Sequence, residues 1–247
     1  MSKALSSLRE AIGAIEGTGI AGHPALQFGI DPIDAGLADR GLRIDALHEV
    51  AGAGPNYGDD AAASLFLAGI AARNAGSVLW IVRRRDLFAP GLYQAGLAPE
   101  RLIHAEARDD AELLAIMEDA LRHRGLGAVV GEPKRAGMTA TRRLQLAAEG
   151  GRTLALMLRR PSRAGDDPFA QPSAAATRWR VGCLPSEPLP VAGIGRARWR
   201  LELVRQRGGA PFAIDVEACD ETGRCALAAE LVDRPDRAGR ADARAVG

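Results

Sequence analysis

Apolar residues recur along this chain at two spacings, and the alternation between them lays out an architecture. Leu5, Leu8, Ile12 and Ile15 return at steps of three and four, so residues 3–16 read as a short amphipathic helix. Its apolar face must dock, and two destinations are open: its own domain, or a partner or neighbouring subunit. Residues 17–25 are rich in glycine and proline and link it onward. The stretch LRIDALHEV alternates and then turns apolar, as a strand does on entering a core, and AGAGPNYG breaks it. From Asp59, DDAAASLFLAGIAARNAG is helical in propensity and apolar on nearly every side, and Asn74 and Gly76 supply a stop. A helix with so little polar surface is expected to be buried.

SVLWIV, residues 77–82, is a continuous apolar run of the kind that parallel sheets cover on both faces. A polar turn and a helix over about residues 89–97 follow. RLIHA then predicts a strand, DDAELLAIMEDALRHRG a capped helix, LGAVVGE a strand, TATRRLQLAAEGG a helix and RTLALMLRR a strand. Strand and helix alternating over short connections imply right-handed βαβ units and a doubly wound, mostly parallel sheet flanked by helices. Beyond Pro161 the texture changes. PSRAGDDPFAQPSAAAT is a long Pro/Ser/Ala loop, after which RWRVGCL, ARWRLELVRQ, PFAIDVEAC and CALAAELV predict antiparallel strands. Three regions result: an N-terminal helix and linker (1–25), an α/β core with a C-terminal β extension (26–232), and an Arg/Asp/Ala/Gly tail (233–247) expected to be disordered.

Composition narrows the function classes. With 32 basic against 31 acidic residues, the formal charge of +1 makes no bulk case for nucleic acid or membrane, so any such contact must be local. No stretch approaches the roughly 18 apolar residues of a membrane span. Cys183, Cys219 and Cys225 contain no C-x-x-C pair and are too few for a disulfide framework or a thiolate metal site, which fits a reducing cytoplasm. His48, His104 and His123 are scattered, and neither a catalytic triad nor a metal pattern emerges.

The break AGAGPNYGDDAA stands where a nucleotide-binding protein places its phosphate loop, between a strand and a helix. Such a loop works through inward backbone N–H groups, a helix N-terminus, a lysine on the terminal phosphates and a hydroxyl on magnesium. Aligned on G-x-x-x-x-G-K-[ST], this chain offers Ala53, Gly54, Gly58, Asp59 and Asp60: the frame persists, but two carboxylates replace lysine and hydroxyl. Repulsion where a charge-assisted hydrogen bond should form makes tight ATP binding unexpected. Lys3 and Lys134 are the only lysines, and both lie far from the loop in sequence. Asp59 and Asp60 are expected to cap the helix themselves and to fill the anion hole from within. The reading is therefore of no cofactor, no resident metal and no catalytic residue.

Taken together, the segment from LQFGIDPIDAG through SVLWIV resembles the opening of the RecA-type ATPase core. PGLYQAGLAPERLIHAEARDDAELLAIMEDALR resembles the helix, strand and helix that follow in that core. At the strand bearing the magnesium-linked acid of that core, this chain has Gly131, then Glu132; beyond SVLWIV, Arg83, Arg84 and Arg85 replace the catalytic glutamate. HEVAGAGPNYGDDAAASLFLA, TRRLQLAAEGGRTLALMLRRP, PSAAATRWRV and ARWRLELVRQRGG are more closely similar to the ImuA family, over most of residues 26–209. SulA, an inhibitor of the division protein FtsZ, shares the RRLQLAAEGG type of segment. The ImuA resemblance implies a cytoplasmic RecA-like accessory protein of SOS-induced translesion synthesis. It further implies an ImuB-type Y-family polymerase homologue and an error-prone replicative-type polymerase as partners, with RecA or self-association also open. A divergent RecA-type DNA-dependent ATPase and a SulA-like inhibitor are the alternatives.

Two basic clusters are candidate contacts. Arg83, Arg84 and Arg85 are placed at the carboxyl end of the sheet. Solvated run, salt bridges to Asp59 and Asp60, and an anion or DNA contact all remain open for them. Arg159, Arg160 and Arg163 lead into the long loop, with Arg178 and Trp179 beyond it. In RecA-like proteins the corresponding region contacts single-stranded DNA, and arginines beside an aromatic suit a backbone-and-stacking contact. The even balance of charge favours a surface or partner-binding loop over DNA here.

Overall fold

The computed structural model describes residues 23–160, 166–186, 192–193 and 195–227. The helix expected from Leu5, Leu8, Ile12 and Ile15, together with Arg163 and the tail from Asp233, lies outside the described residues. The chain enters through β1 (Ala25–Leu26), α1 (Asp31–Gly36) and β2 (Leu42–Arg43), with β1 and β2 paired antiparallel in a small sheet of their own. Asp34 fastens this lead-in by accepting the Phe28 and Gly29 amides at 2.7 and 2.9 Å. LRIDALHEV is thus not one strand. Ile44 donates its amide to the Pro24 carbonyl, a turn intervenes, and the central strand β3 begins at Leu47 and ends at Gly52.

From there the alternation read in the sequence holds. α2 (Tyr57–Arg73), β4 (Ser77–Val82), α3 (Ala89–Gln94), β5 (Leu102–Glu106), α4 (Asp110–Arg122), β6 (Leu126–Gly131), α5 (Met138–Gly151) and β7 (Leu154–Arg159) follow in turn. β8 (Thr177–Leu184), β9 (Arg198–Gln206), β10 (Phe212–Glu217) and β11 (Ala226–Leu227) complete a sheet ordered β11-β10-β9-β8-β3-β7-β6-β4-β5. Strands β5, β4, β6, β7, β3 and β8 run parallel, and β9 to β11 extend the sheet antiparallel.

The inner strands β4, β6 and β7 are largely apolar because both of their faces are covered. Val50, Trp80, Val130, Leu156 and Leu158 point into a core with α2, while Leu47, Ile81, Val129, Ala155 and Met157 point into a second core with α4 and α5. α2 is buried as its composition requires: Ala62, Ala63, Phe66, Leu67 and Ile70 are at most 2% exposed. Phe66 meets Phe28, Trp179 and Trp199 with ring centroids 5.9 to 6.4 Å apart, which ties the lead-in, the helix and the antiparallel extension together.

One polar chain crosses this core with every group satisfied. Trp179 Nε1 donates to Thr177 Oγ1 at 2.9 Å, the Thr177 hydroxyl faces His48 Nδ1 at 2.7 Å, and His48 Nε2 faces the Arg43 carbonyl at 2.7 Å. The carbonyl can only accept, so Nε2 carries a proton, and with the imidazole neutral Nδ1 accepts from the hydroxyl. Burial holds it there, pushing its pKa from 6.5 down to about 4. A depressed folded pKa means that the unfolded chain takes up the proton first, so this stability is complete above pH 6.5 and is lost as pH falls towards 4. The gap between 6.5 and about 4 corresponds to about 3 kcal/mol. Urea unfolding of wild-type protein and His48→Gln at pH 7 and pH 4 should show a steeper acid loss in the wild type by about that amount; equal losses would place the acid sensitivity elsewhere.

Candidate functional site

The carboxyl ends of β3, β6, β7 and β8 meet at one edge of the sheet, where doubly wound folds hold their ligands. The loop from β3 to α2 crosses this edge. Its cap is Asn56, not the aspartates: Asn56 Oδ1 accepts the Asp59 amide at 2.9 Å, and Asn56 Nδ2 donates to Asp59 Oδ2 at 2.8 Å. Asp59 is buried at 8% exposure and its other oxygen accepts the Cys183 amide on β8 at 2.7 Å. Both carboxylates lie against the loop backbone. A methyl built on Gly54 would stand 3.1 Å from Asp59 Oδ2, and one on Gly52 3.0 Å from Asp60 Oδ1.

Asp60 faces a cation from an adjacent strand. Arg160, immediately beyond β7, stands 3.6 Å from Asp60 Oδ2 through one terminal nitrogen and 3.1 Å from Glu132 Oε2 through the other. Glu132, immediately beyond β6, is buried, and its second oxygen accepts the Trp80 indole N–H at 2.7 Å. A continuous network Trp80–Glu132–Arg160–Asp60 therefore spans the edge from β4 to α2. Burial raises the Asp60 carboxyl above its ordinary range, with Asp59 adding to that effect, and Arg160 only partly offsets it. The local charge is one arginine against Asp59, Asp60 and Glu132, a net of −2. A further anion about 4 Å from each uncompensated carboxylate would meet about 4 kcal/mol of repulsion apiece at an effective dielectric of about 20.

Several expected contacts fall elsewhere. Arg83, Arg84 and Arg85 stand at the predicted end of β4, but they do not pair with Asp59 or Asp60. Arg83 reaches Asp110 at 3.1 Å, Arg85 reaches Glu106 at 2.9 Å, and Arg84 is exposed. Asp110 also accepts the Lys134 and Arg135 amides, so Arg83 helps fix the turn between β6 and α5. Trp179 is not a stacking surface, because it is fully buried in the α2 core. Arg178 is not a surface contact either: it donates to Glu49, which is 0% exposed, at 2.7 Å and to the Phe169 and Gln171 carbonyls, pinning the loop ahead of β8. Arg159 is buried beside Met157 and the Ala136 carbonyl. Of that cluster, Arg160 alone among the described residues joins the crevice. In sequence Arg160 falls in one basic run with Arg159 and Arg163, because strand order, which sets β7 between β3 and β6, is not written locally.

No protein-family model matches the chain. It is 44% identical over 197 residues to the protein ImuA of Caulobacter vibrioides, in two strains, covering 76% of this chain and 81% of theirs. Among solved structures, the RadB recombinase superposes over 83% of this chain and 100% of its own with a TM-score of 0.57 at 16% identity, a likeness of fold. SulA from Pseudomonas aeruginosa matches 46% of this chain and 97% of its own at 26% identity, with a TM-score of 0.40.

Removing Arg160 should leave Glu132 buried without its cation. Arg160→Ala is expected to cost about 2 kcal/mol in chemical denaturation, discounted for the partial exposure of the arginine. Adding Glu132→Gln should recover a good part of that loss. Additive losses in the double variant would mean that the two groups are not coupled.

Proposed function

This chain belongs to the ImuA family, and on that premise we propose that it is a RecA-like accessory protein of damage-induced mutagenesis that assembles polymerases instead of hydrolysing ATP. The observation that carries the reading is the Asp60–Arg160–Glu132 bridge: the chain's own side chains occupy the sheet edge at which a nucleotide-hydrolysing relative of this fold would need cationic, unpaired groups. Lysine and hydroxyl are replaced by Asp59 and Asp60, and the acid-bearing strand ends in Gly131 with Glu132 already committed to Trp80 and Arg160. A scaffold needs the fold without the chemistry, and such a network stabilises the fold without ligand.

The partners in this reading are an ImuB-type Y-family polymerase homologue and an error-prone replicative-type polymerase, in the cytoplasm. Arg84, Arg85 and the exposed aromatics Tyr57, Phe88 and Tyr93 lie in the loop after β4 and on α2 and α3 and are the contact surface best supplied with hot-spot residue types. Residues 1–22, with their Leu5, Leu8, Ile12 and Ile15 periodicity, are a second candidate contact. Co-expression with the ImuB homologue should give a complex that survives size exclusion, and Phe88→Ala/Tyr93→Ala should weaken it at least about tenfold while the melting temperature is kept. A complex equally tight in the double variant would remove this surface from the reading, and the absence of any complex would remove the scaffold role itself.

A further inference from the structure

The turn that joins β10 to β11 is more elaborate than a connection requires. Asp220 Oδ1 accepts from the Thr222 amide, the Thr222 hydroxyl and the Arg224 amide, and the Asp220 amide donates to the Arg224 carbonyl. Gly223 adopts φ 75°, which closes the turn, and its backbone packs on the Gly69 carbonyl and on Gly96. From outside, Arg196 grips the Ala218 and Arg224 carbonyls and the Glu217 and Asp220 carboxylates. The segment is thereby held from both ends.

What it holds is a pair of thiols. Glu217 faces Ala226 in the hairpin ladder, so Cys219 and Cys225 fall one residue out of register beyond it, and their sulfurs are 3.5 Å apart. The Cys219 sulfur rests on α2 over Gly69, where any side chain would collide with it. Neither cysteine is fully buried. Either sulfur can donate in this contact; with Cys219 as donor the hydrogen bond lowers the Cys225 thiol against its burial and, together with burial, raises Cys219, and the Arg73 guanidinium beside them favours a thiolate at Cys225. Cys183, by contrast, is exposed on β8 and has no sulfur neighbour among the described residues.

We propose that Cys219 and Cys225 are a redox modification site that reacts with a low-molecular-weight disulfide and closes to an intrachain disulfide across the β10–β11 turn, where it packs on α2. The Cys225 thiolate attacks one sulfur of the incoming disulfide, whose other half leaves as a thiolate and takes up the proton lost from Cys225. The Cys219 sulfur, giving its proton to the second leaving thiolate, then displaces that half from Cys225. The protein dithiol is oxidised by two electrons and the small disulfide is reduced to two thiols. The attack is intramolecular because the turn already holds the two sulfurs together.

The test uses full-length Cys183→Ser protein, equilibrated with oxidised glutathione and then alkylated. The expected result is loss of both remaining thiols together and a mass decrease of about 2 Da, the two hydrogens removed, with tryptic peptides on either side of Arg224 joined until reduction. Cys219→Ser in the same background should stop at a glutathione adduct on Cys225, and Cys225→Ser should react at least about tenfold more slowly, having lost the favoured thiolate. Retention of both thiols under these conditions, or one glutathione on each cysteine in place of the internal bond, would overturn the proposal. So would equal reaction rates for the two single variants.

Discussion

A single guanidinium shared between two carboxylates organises the ligand edge of this sheet. Arg160 sits where it does because β7 lies between β3 and β6, so the residue that follows β7 must lie between the loop after β3 and the residue after β6. Glu132, once buried by the indole of Trp80 and by the sheet, needs a cation nearby. Asp60, at the start of α2, shares that cation, and Asp59 turns away to cap the β8 backbone and to bind Asn56. One positive charge thus joins three segments distant in sequence, and the edge on which related folds receive a ligand is occupied by the chain itself.

A second buried ion pair does comparable work on the opposite face. Glu49 and Arg178 are register partners on β3 and β8, and the three donors of Arg178 fix both the carboxylate and the loop that precedes β8. Phe169 lies under the same guanidinium at 4.9 Å. Pairs of this kind contribute less net stability than packed apolar groups would, yet removing one partner is costly. Their value here is positional: they fasten irregular segments onto a sheet whose own strands are held by apolar packing on both faces.

Much of this was legible in the sequence. SVLWIV, LGAVVGE and the Asp109-capped helix are local statements of periodicity and capping, and local statements survive folding. The apolar excess of α2 announced its burial in the same way. What failed was inference about partners. Arg159, Arg160 and Arg178 look alike as a basic run, but the alternation of β7 and β8 sends Arg159 and Arg178 inward and leaves Arg160 past the end of its strand. The alternation of Thr177, Trp179 and Val181 with Arg178 and Arg180 in TRWRV is itself a signal that sets Trp179 in the core. Arg83 to Arg85 were correctly set at a strand end, but Asp110 and Glu106, nearer in space than Asp60, took two of them.

The chain belongs to the ImuA family and shares its fold with the RadB recombinase. The central claim is that an internal ion network stands in place of nucleotide. Isothermal titration of magnesium–ATP into the full-length protein, with a functional RecA-type ATPase as control, tests it directly. The account predicts dilution heat alone; a saturable, magnesium-dependent isotherm at micromolar nucleotide would contradict it.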